Sequence, residues 1–318
     1  MFEDESSVES QAWVWLLNSD YNDLDLEDLQ ILRQRYALAA LYLSTGGETW
    51  TSSDNWMTDA SVCEWYPSDE SQCDDDGYLI ELNLYSNNLD GELPVDIGVL
   101  SDTLRVLDLE GNRDLGGTLP AGFWSLDELR EVDIAGCDFR GRLSSSVSGM
   151  SKLRVFRGGR NRFEGPLPGE FGLLPELEVL RLARNRLNGE IPAGLGSSST
   201  LRHLRLGSNR FVGTLSSALG DLSSLQEFWV ESNTGLNGTI PESFLDLTSL
   251  SSARFQNTGL SGEMPFCVDE NEAPEELEAD CSNFEDDCPC CTLCPGDGPG
   301  PSPGPGPGPG PNLRGRRI

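Results

Sequence analysis

Residues 153–168 read Leu153-Arg-Val-Phe-Arg-Gly-Gly-Arg-Asn161-Arg-Phe-Glu-Gly165-Pro-Leu-Pro168, and 24 residues later the chain reads Leu177-Glu-Val-Leu-Arg-Leu-Ala-Arg-Asn185-Arg-Leu-Asn-Gly189-Glu-Ile-Pro192. After another 24 comes Leu201-Arg-His-Leu-Arg-Leu-Gly-Ser-Asn209-Arg-Phe-Val-Gly213-Thr-Leu-Ser216. Mostly apolar residues at positions 1, 4 and 6, with polar ones between, fit a short strand that buries one face. The Asn at position 9 carries two donors and an acceptor, so it can pair with backbone groups freed at a turn. A fixed period of this length marks a solenoid, whose units bury their apolar faces only against their neighbours.

Working outward, eight units begin at Leu79, Leu104, Leu129, Leu153, Leu177, Leu201, Leu225 and Leu250, spaced by 24 or 25 residues. The extra residues fall at turns: in 101–103, in Asn112-Arg-Asp-Leu115 and in Asn233-Thr-Gly-Leu236. Turns are where a stacked array tolerates insertions. Position 9 holds Asn87, Asn112, Asn161, Asn185, Asn209 and Asn233; Cys137 stands there in the third unit and Thr258 in the eighth. Cys137 is expected to be a buried free thiol, which accounts for the odd total of nine cysteines. The second half of the unit reads L-x-G-x-[I/L]-P, as in Leu187-Asn-Gly189-Glu-Ile-Pro192, with Ser144 and Ser216 in place of Pro in the third and sixth units.

The 318 residues include 53 acidic and 22 basic side chains, a net charge of −31. That balance argues against nucleic acid as a partner, which needs a basic footprint. No apolar run reaches the roughly 18 residues of a membrane span, so no membrane insertion is expected of the chain as given. The start, Met1-Phe-Glu-Asp-Glu, lacks the features of a secretory signal. Cysteines clustered near both ends nonetheless point to an oxidising compartment. A fragment, or a chain lacking its upstream targeting segment, reconciles the two.

Five segments are expected. Residues 1–28 carry nine carboxylates and no Lys or Arg, with a short helix around Ala12-Trp-Val-Trp-Leu-Leu17. Residues 29–78 form an N-terminal cap. Its helix has Asp25 or Asp28 as N-cap, Leu29, Leu32, Tyr36, Ala39, Ala40 and Leu43 on one face, and Gly46-Gly47 as its end. Trp50, Trp56, Trp65 and Tyr66 follow, and a Cys63–Cys73 disulfide is expected around Trp65, since no His or second Cys pair nearby supports a metal site. The array occupies 79–266. Residues 267–294 are a Cys-rich cap in which Cys267 and Cys281 flank seven carboxylates, followed by Cys288, Cys290, Cys291 and Cys294. Three disulfides are the expectation for these six, with thiolate ligation of a soft metal as the competing reading. Residues 295–318 are a disordered Gly-Pro spacer and basic tail, and Asn237-Gly-Thr239 is a sequon for glycosylation.

The L-x-G-x-[I/L]-P half-unit resembles the plant-type class of leucine-rich repeats. The resemblance implies an α/β repeat solenoid: a right-handed superhelix with a concave parallel β-sheet, a helical N-terminal cap and a Cys-rich C-terminal cap. Residues 34–47, with Thr49-Trp50, Asn55-Trp56 and Cys63-Glu-Trp65, resemble the cap of leucine-rich-repeat receptor-like proteins from algae such as diatoms. They are similar, more loosely, to the C-x-W cap of plant receptor-kinase ectodomains, and Ala279-Asp-Cys281 with Cys288-Pro-Cys-Cys-Thr292 fits the algal family. This implies an extracellular or cell-surface recognition module without cofactor, often membrane-tethered in relatives, with a membrane-bound co-receptor as a partner. No Gly-rich loop, H-R-D or D-F-G segment of a kinase is present in the sequence.

Side chains at positions 3, 5, 7 and 8 face out of the concave sheet. Position 5 reads Asn83, Asp108, Asp133, Arg157, Arg181, Arg205, Trp229, Arg254; Arg160 and Arg184 stand at position 8 and His203 at position 3. Between 152 and 210 there are 11 basic and 5 acidic residues. Arginines about 4.8 Å apart on adjacent strands repel unless an anion or carboxylates sit among them. Arg157, Arg160, Arg181, Arg184, His203, Arg205, Trp229 and Arg254 are therefore the candidate ligand-binding residues, for a peptide or protein carboxylate or an anionic polysaccharide, with Trp229 as a stacking platform. A solvated, Arg-rich face is the competing reading. Asp108 and Asp133 make a sparse set for Ca²⁺, and no metal is expected. His203, the only His, has no nucleophile placed by motif, so no catalysis is expected. The alternative functions are a secreted inhibitor of wall-degrading enzymes and a structural or adhesive protein of the cell covering.

Overall fold

In the computed structural model the described residues are 6–18, 28–65, 72–267, 273–284 and 291–292. Asp25, Tyr66, Cys288, Cys290, Cys294 and the Gly-Pro segment lie outside them.

The chain begins with two packed helices. Asp28 caps α2 (Leu29–Ser44), accepting from the Gln30 and Ile31 amides at 2.8 and 3.3 Å, which satisfies donors a helix start leaves free. Ala12 of α1 (Val8–Asn18) lies against Ala39 and Ala40 of α2, a contact that only small side chains permit. Behind α2, Trp50 and Trp56 stand 4.7 Å apart, and Trp56 and Trp65 5.3 Å apart. Arg35 is fully buried among these rings. Its guanidinium lies 5.2 Å from the Trp65 ring and 5.4 Å from Trp15, and donates to the carbonyls of Ala60 (2.6 Å) and Thr58. Carbonyls and aromatic faces there take the place of water around the charge. Cys63 and Cys73 form the expected disulfide.

From there the solenoid runs as nine parallel three-residue strands in chain order, from Glu81–Asn83 to Glu276–Glu278. Their central side chains, among them Leu82, Phe156, Leu204 and Phe228, are wholly buried. A second parallel sheet of eight strands, from Asp90–Glu92 to Gly259–Leu260, runs beside the first, and short 3₁₀ turns complete each repeat. Most of those turns start after a Pro. Ser144 and Ser216 do the same work with a side chain, accepting from the amides of Ser146 and Ala218 at 3.1 and 3.3 Å.

The asparagines form a ladder between repeats. Asn112 Nδ2 donates to Leu84 O and Leu109 O at 2.9 and 2.8 Å, and its Oδ1 accepts from the Leu89 amide of the preceding repeat at 3.1 Å. Asn161, Asn185, Asn209 and Asn233 repeat the pattern. Asn87 faces the cap instead, bonding Ser52 at both N and O. Cys137 and Thr258 interrupt the ladder for one reason. In the repeats before them, the extra turn residue folds the amides of Leu115 and Leu236 onto the carbonyls of Asn112 and Asn233, at 3.1 and 3.0 Å. The amide that elsewhere donates to the next Asn is thus spent inside its own turn; Cys137 takes a backbone bond from Asn112 instead and donates its thiol to Leu109 O at 3.2 Å. Cys137 is the expected buried free thiol; burial pushes it up to about 12.

The ninth strand comes from the acidic segment between Cys267 and Cys281. Glu276–Glu278 pairs with Ser252–Arg254, while Leu277 and Ala279 are buried. The signal was present as Pro274-x-x-Leu277-x-Ala279, a diluted 1-4-6 pattern. Thr292 closes this edge, its amide donating to Leu277 O and its Oγ1 accepting from Leu277 N, both at 2.9 Å. Cys291 is disulfide-bonded, which removes it from any thiolate metal set.

Candidate functional site on the concave sheet

Strand register sets Asn83, Asp108, Asp133, Arg157, Arg181, Arg205, Trp229, Arg254 and Glu278 side by side in one row. The row divides into a paired end and an unpaired middle.

At the paired end, Arg205 Nε and Nη2 both lie 2.7 Å from one Glu227 oxygen, and His203 Nδ1 lies 3.1 Å from it. Burial raises Glu227, but the adjacent His203 ring and the bonds from Arg205 outweigh it and hold the carboxyl at about 2. The Trp229 ring lies between two guanidinium groups, Arg205 at 3.7 Å and Arg254 at 3.9 Å. Its Nε1 donates to Ser252 Oγ at 2.8 Å, and that hydroxyl donates to Glu276 Oε2 at 2.8 Å. Arg254 pairs with Glu276 and lies 3.6 Å from Glu278. Two expectations are corrected here. Trp229 is not an open stacking platform, because both faces are covered, and the charge of Arg254 is taken up by the ninth strand. Nearby, the Glu231 carboxylate lies where a side chain on Gly207 would stand, and burial raises it to about 7.

The middle differs. Arg157 Nη1 is 3.6 Å from Asp133. The Arg181 side chain makes no ion pair or hydrogen bond among the described residues, and its Nε is shut off from solvent without a partner. Burial, then the neighbouring Arg205 and Arg157, lower it to about 10, so it stays charged at neutral pH. Arg160 and Arg184 are exposed and left-handed, at φ 57° and 61°. Position 8 elsewhere holds Ser86, Gly111, Gly136, Ser208, Ser232 or Asn257, and a bulky side chain there costs about 1–2 kcal/mol. On the other side, Asp133 is raised to about 7, chiefly by burial and then by Glu110 and Asp108. Asp108 and Glu110 are also raised by burial. Position 7 carries only Ala135, Gly159 and Ala183 across the middle, leaving a bare floor that ends at Gly207, which the Glu231 carboxylate covers.

Among the described residues no group of three or more His, Cys, Asp or Glu is placed to hold a metal, and no helix is long and apolar enough to cross a membrane. Asn237 is exposed on the second sheet.

The family model described as Leucine Rich Repeat matches residues 78–100, 176–198 and 200–222. A probable leucine-rich repeat receptor-like protein kinase of Arabidopsis thaliana is 30% identical over 115 residues, 36% of this chain and 10% of that protein. The Arabidopsis receptor kinase HAESA, solved with the peptide hormone IDA and the co-receptor SERK1, matches with a TM-score of 0.68 and 27% identity, over 81% of this chain and 42% of that one. The PEPR1–AtPEP1 complex matches with a TM-score of 0.64 and 27% identity, over 78% and 33%. A plant ice-binding protein, at 0.62 and 24% identity over 73% and 72%, shares the fold alone. The chain thus carries leucine-rich repeats and is similar to plant leucine-rich-repeat receptor-kinase ectodomains, while spanning a tenth of the kinase and under half of either receptor chain.

Proposed function

We propose that this chain is a non-catalytic recognition module working outside the cell, taking an anionic part of a peptide or protein on the concave face of repeats four to six. Arg181 carries the reading. A half-buried cation without a partner is a cost to folding, and a ligand carboxylate would supply what the fold leaves out. Arg157, Arg160 and Arg184 surround that position, with Arg205 and His203 at its C-terminal margin. The HAESA complex holds a peptide hormone and a co-receptor; a peptide ligand and a membrane-bound co-receptor are the corresponding proposed partners here. A glycan on Asn237 would sit on the second sheet, clear of this face, and the algal likeness of the cap belongs to the same proposal.

The test is retention on an array of acidic peptides. Arg157→Gln with Arg181→Gln, which leaves the Arg205–Glu227 pair intact, should lower retention about tenfold or more. Equal retention by wild type and variant rejects the reading.

A further inference from the structure

Along the row at position 5 the signs are sorted rather than mixed: Asp108 and Asp133 first, then Arg157, Arg181 and Arg205. Opposite charges directly across a strand pair stabilise a sheet and like charges destabilise it. A face that served solubility alone would gain by alternating. The C-terminal end of the same sheet does so, with Glu227, Glu276 and Glu278 set against Arg205 and Arg254. In the sorted stretch one contact crosses the boundary between signs, Arg157 to Asp133 at 3.6 Å. Asp108 and Glu110 form no ion pair among the described residues, and neither does Arg181. Both blocks face the bare floor of Ala135, Gly159 and Ala183.

We infer that the ligand is itself bipolar: an extended peptide segment with a cationic side chain over Asp108, Glu110 and Asp133, toward the N-terminal cap, and an anionic group over Arg157 and Arg181. This rests on the reading of the concave face as a ligand surface and adds a selection rule to it. The mid-lines of the two blocks are two strands apart, about 10 Å at about 4.8 Å per strand. An extended chain advances about 3.3 Å per residue, so the two charges stand about three residues apart. A ligand of one sign would bury the opposite block without a partner and bind more weakly.

Panning a random dodecapeptide phage library on the wild-type protein at low salt tests this. Selected peptides should carry Lys or Arg about three residues from Asp or Glu. Panning on Asp108→Asn with Asp133→Asn should lose the basic preference and keep the acidic one. Arg157→Gln with Arg181→Gln should do the reverse, both variants giving wild-type circular dichroism. A selected peptide should bind each double variant about tenfold or more weakly than wild type. Enrichment of acidic residues alone on the wild type overturns this inference and leaves the recognition reading standing. No enrichment, or one the variants share, overturns both.

Discussion

Arg181 and Arg205 hold the same position in adjacent repeats, yet they are opposite cases of a cation on a sheet. Arg205 has two bonds to Glu227 and an aromatic face beneath it. Arg181, paired with it in register, has neither carboxylate nor ring. The repeat pattern dictates the placement of both and neither of their environments. What separates them is position 3: Glu227 stands on the strand after Arg205, His203 on the strand after Arg181, and Val179 and Val155 lie on the strands before. One neutralising side chain per repeat decides whether a cation is structural or left free for a partner.

The largest effects expected from this contrast are two pH dependences of opposite sign. Asp133 stands near 7 in the folded chain, above its unfolded value of about 3.9. Its contribution to stability is therefore fully present below about pH 4 and is lost as pH rises through about 7. Asp133→Asn should raise the unfolding free energy by about 2–3 kcal/mol at pH 8 and hardly at all at pH 4. Glu227, held at about 2, contributes stability above its unfolded value of about 4.3 that is lost as pH falls toward 2. Glu227→Gln should cost about 1–3 kcal/mol at pH 7 and little near pH 2. Urea titrations across pH read both, and a shift of the same sign in the two variants would erase the distinction between the halves.

Next in size is the arginine comparison itself. Arg205→Met should destabilise by about 1–2 kcal/mol, losing the Glu227 bonds and the Trp229 contact, whereas Arg181→Met should stabilise by about 1 kcal/mol. Equal costs would mean that Arg181 is better satisfied than its surroundings indicate. The smallest effect concerns the turn. Arg184→Gly removes the side chain from a left-handed residue and should raise stability by about 0.5–1 kcal/mol, with the melting temperature as the readout. No gain would show that Arg184 relaxes in some other way.

Much of this architecture was legible from leucine spacing. The 1-4-6 pattern places the strands, the fixed period sets their register, and alternation assigns Arg157, Arg181 and Arg205 to one face. The partners of those residues were not legible. Glu276 and Glu278 sit in a run so acidic that it reads as solvated loop, and Pro274 and Ala279 dilute the apolar signal that makes it a strand. For Trp229 the pattern gives neighbours along the row but not the direction in which long side chains lean, so a ring gripped on both faces looks open in the sequence. Nothing in the spacing of α2 marked Arg35 for burial, because the carbonyls that receive it belong to a later loop.

The asparagine ladder bears on how such an array can be copied and recombined. A lengthened turn and the loss of the next Asn occur together at repeats two and three, through Asn112-Arg-Asp-Leu115 and Cys137, and again at seven and eight, through Asn233-Thr-Gly-Leu236 and Thr258. Transplanting repeat three behind a turn of ordinary length would leave a buried amide facing a thiol. Placing an Asn repeat behind repeat two would deny its amide oxygen the Leu115 amide, already spent on Asn112 O. At those two junctions the smallest unit of inheritance is the adjoining pair, and a gene that grows by duplicating single repeats meets a chemical barrier there that its periodic sequence conceals.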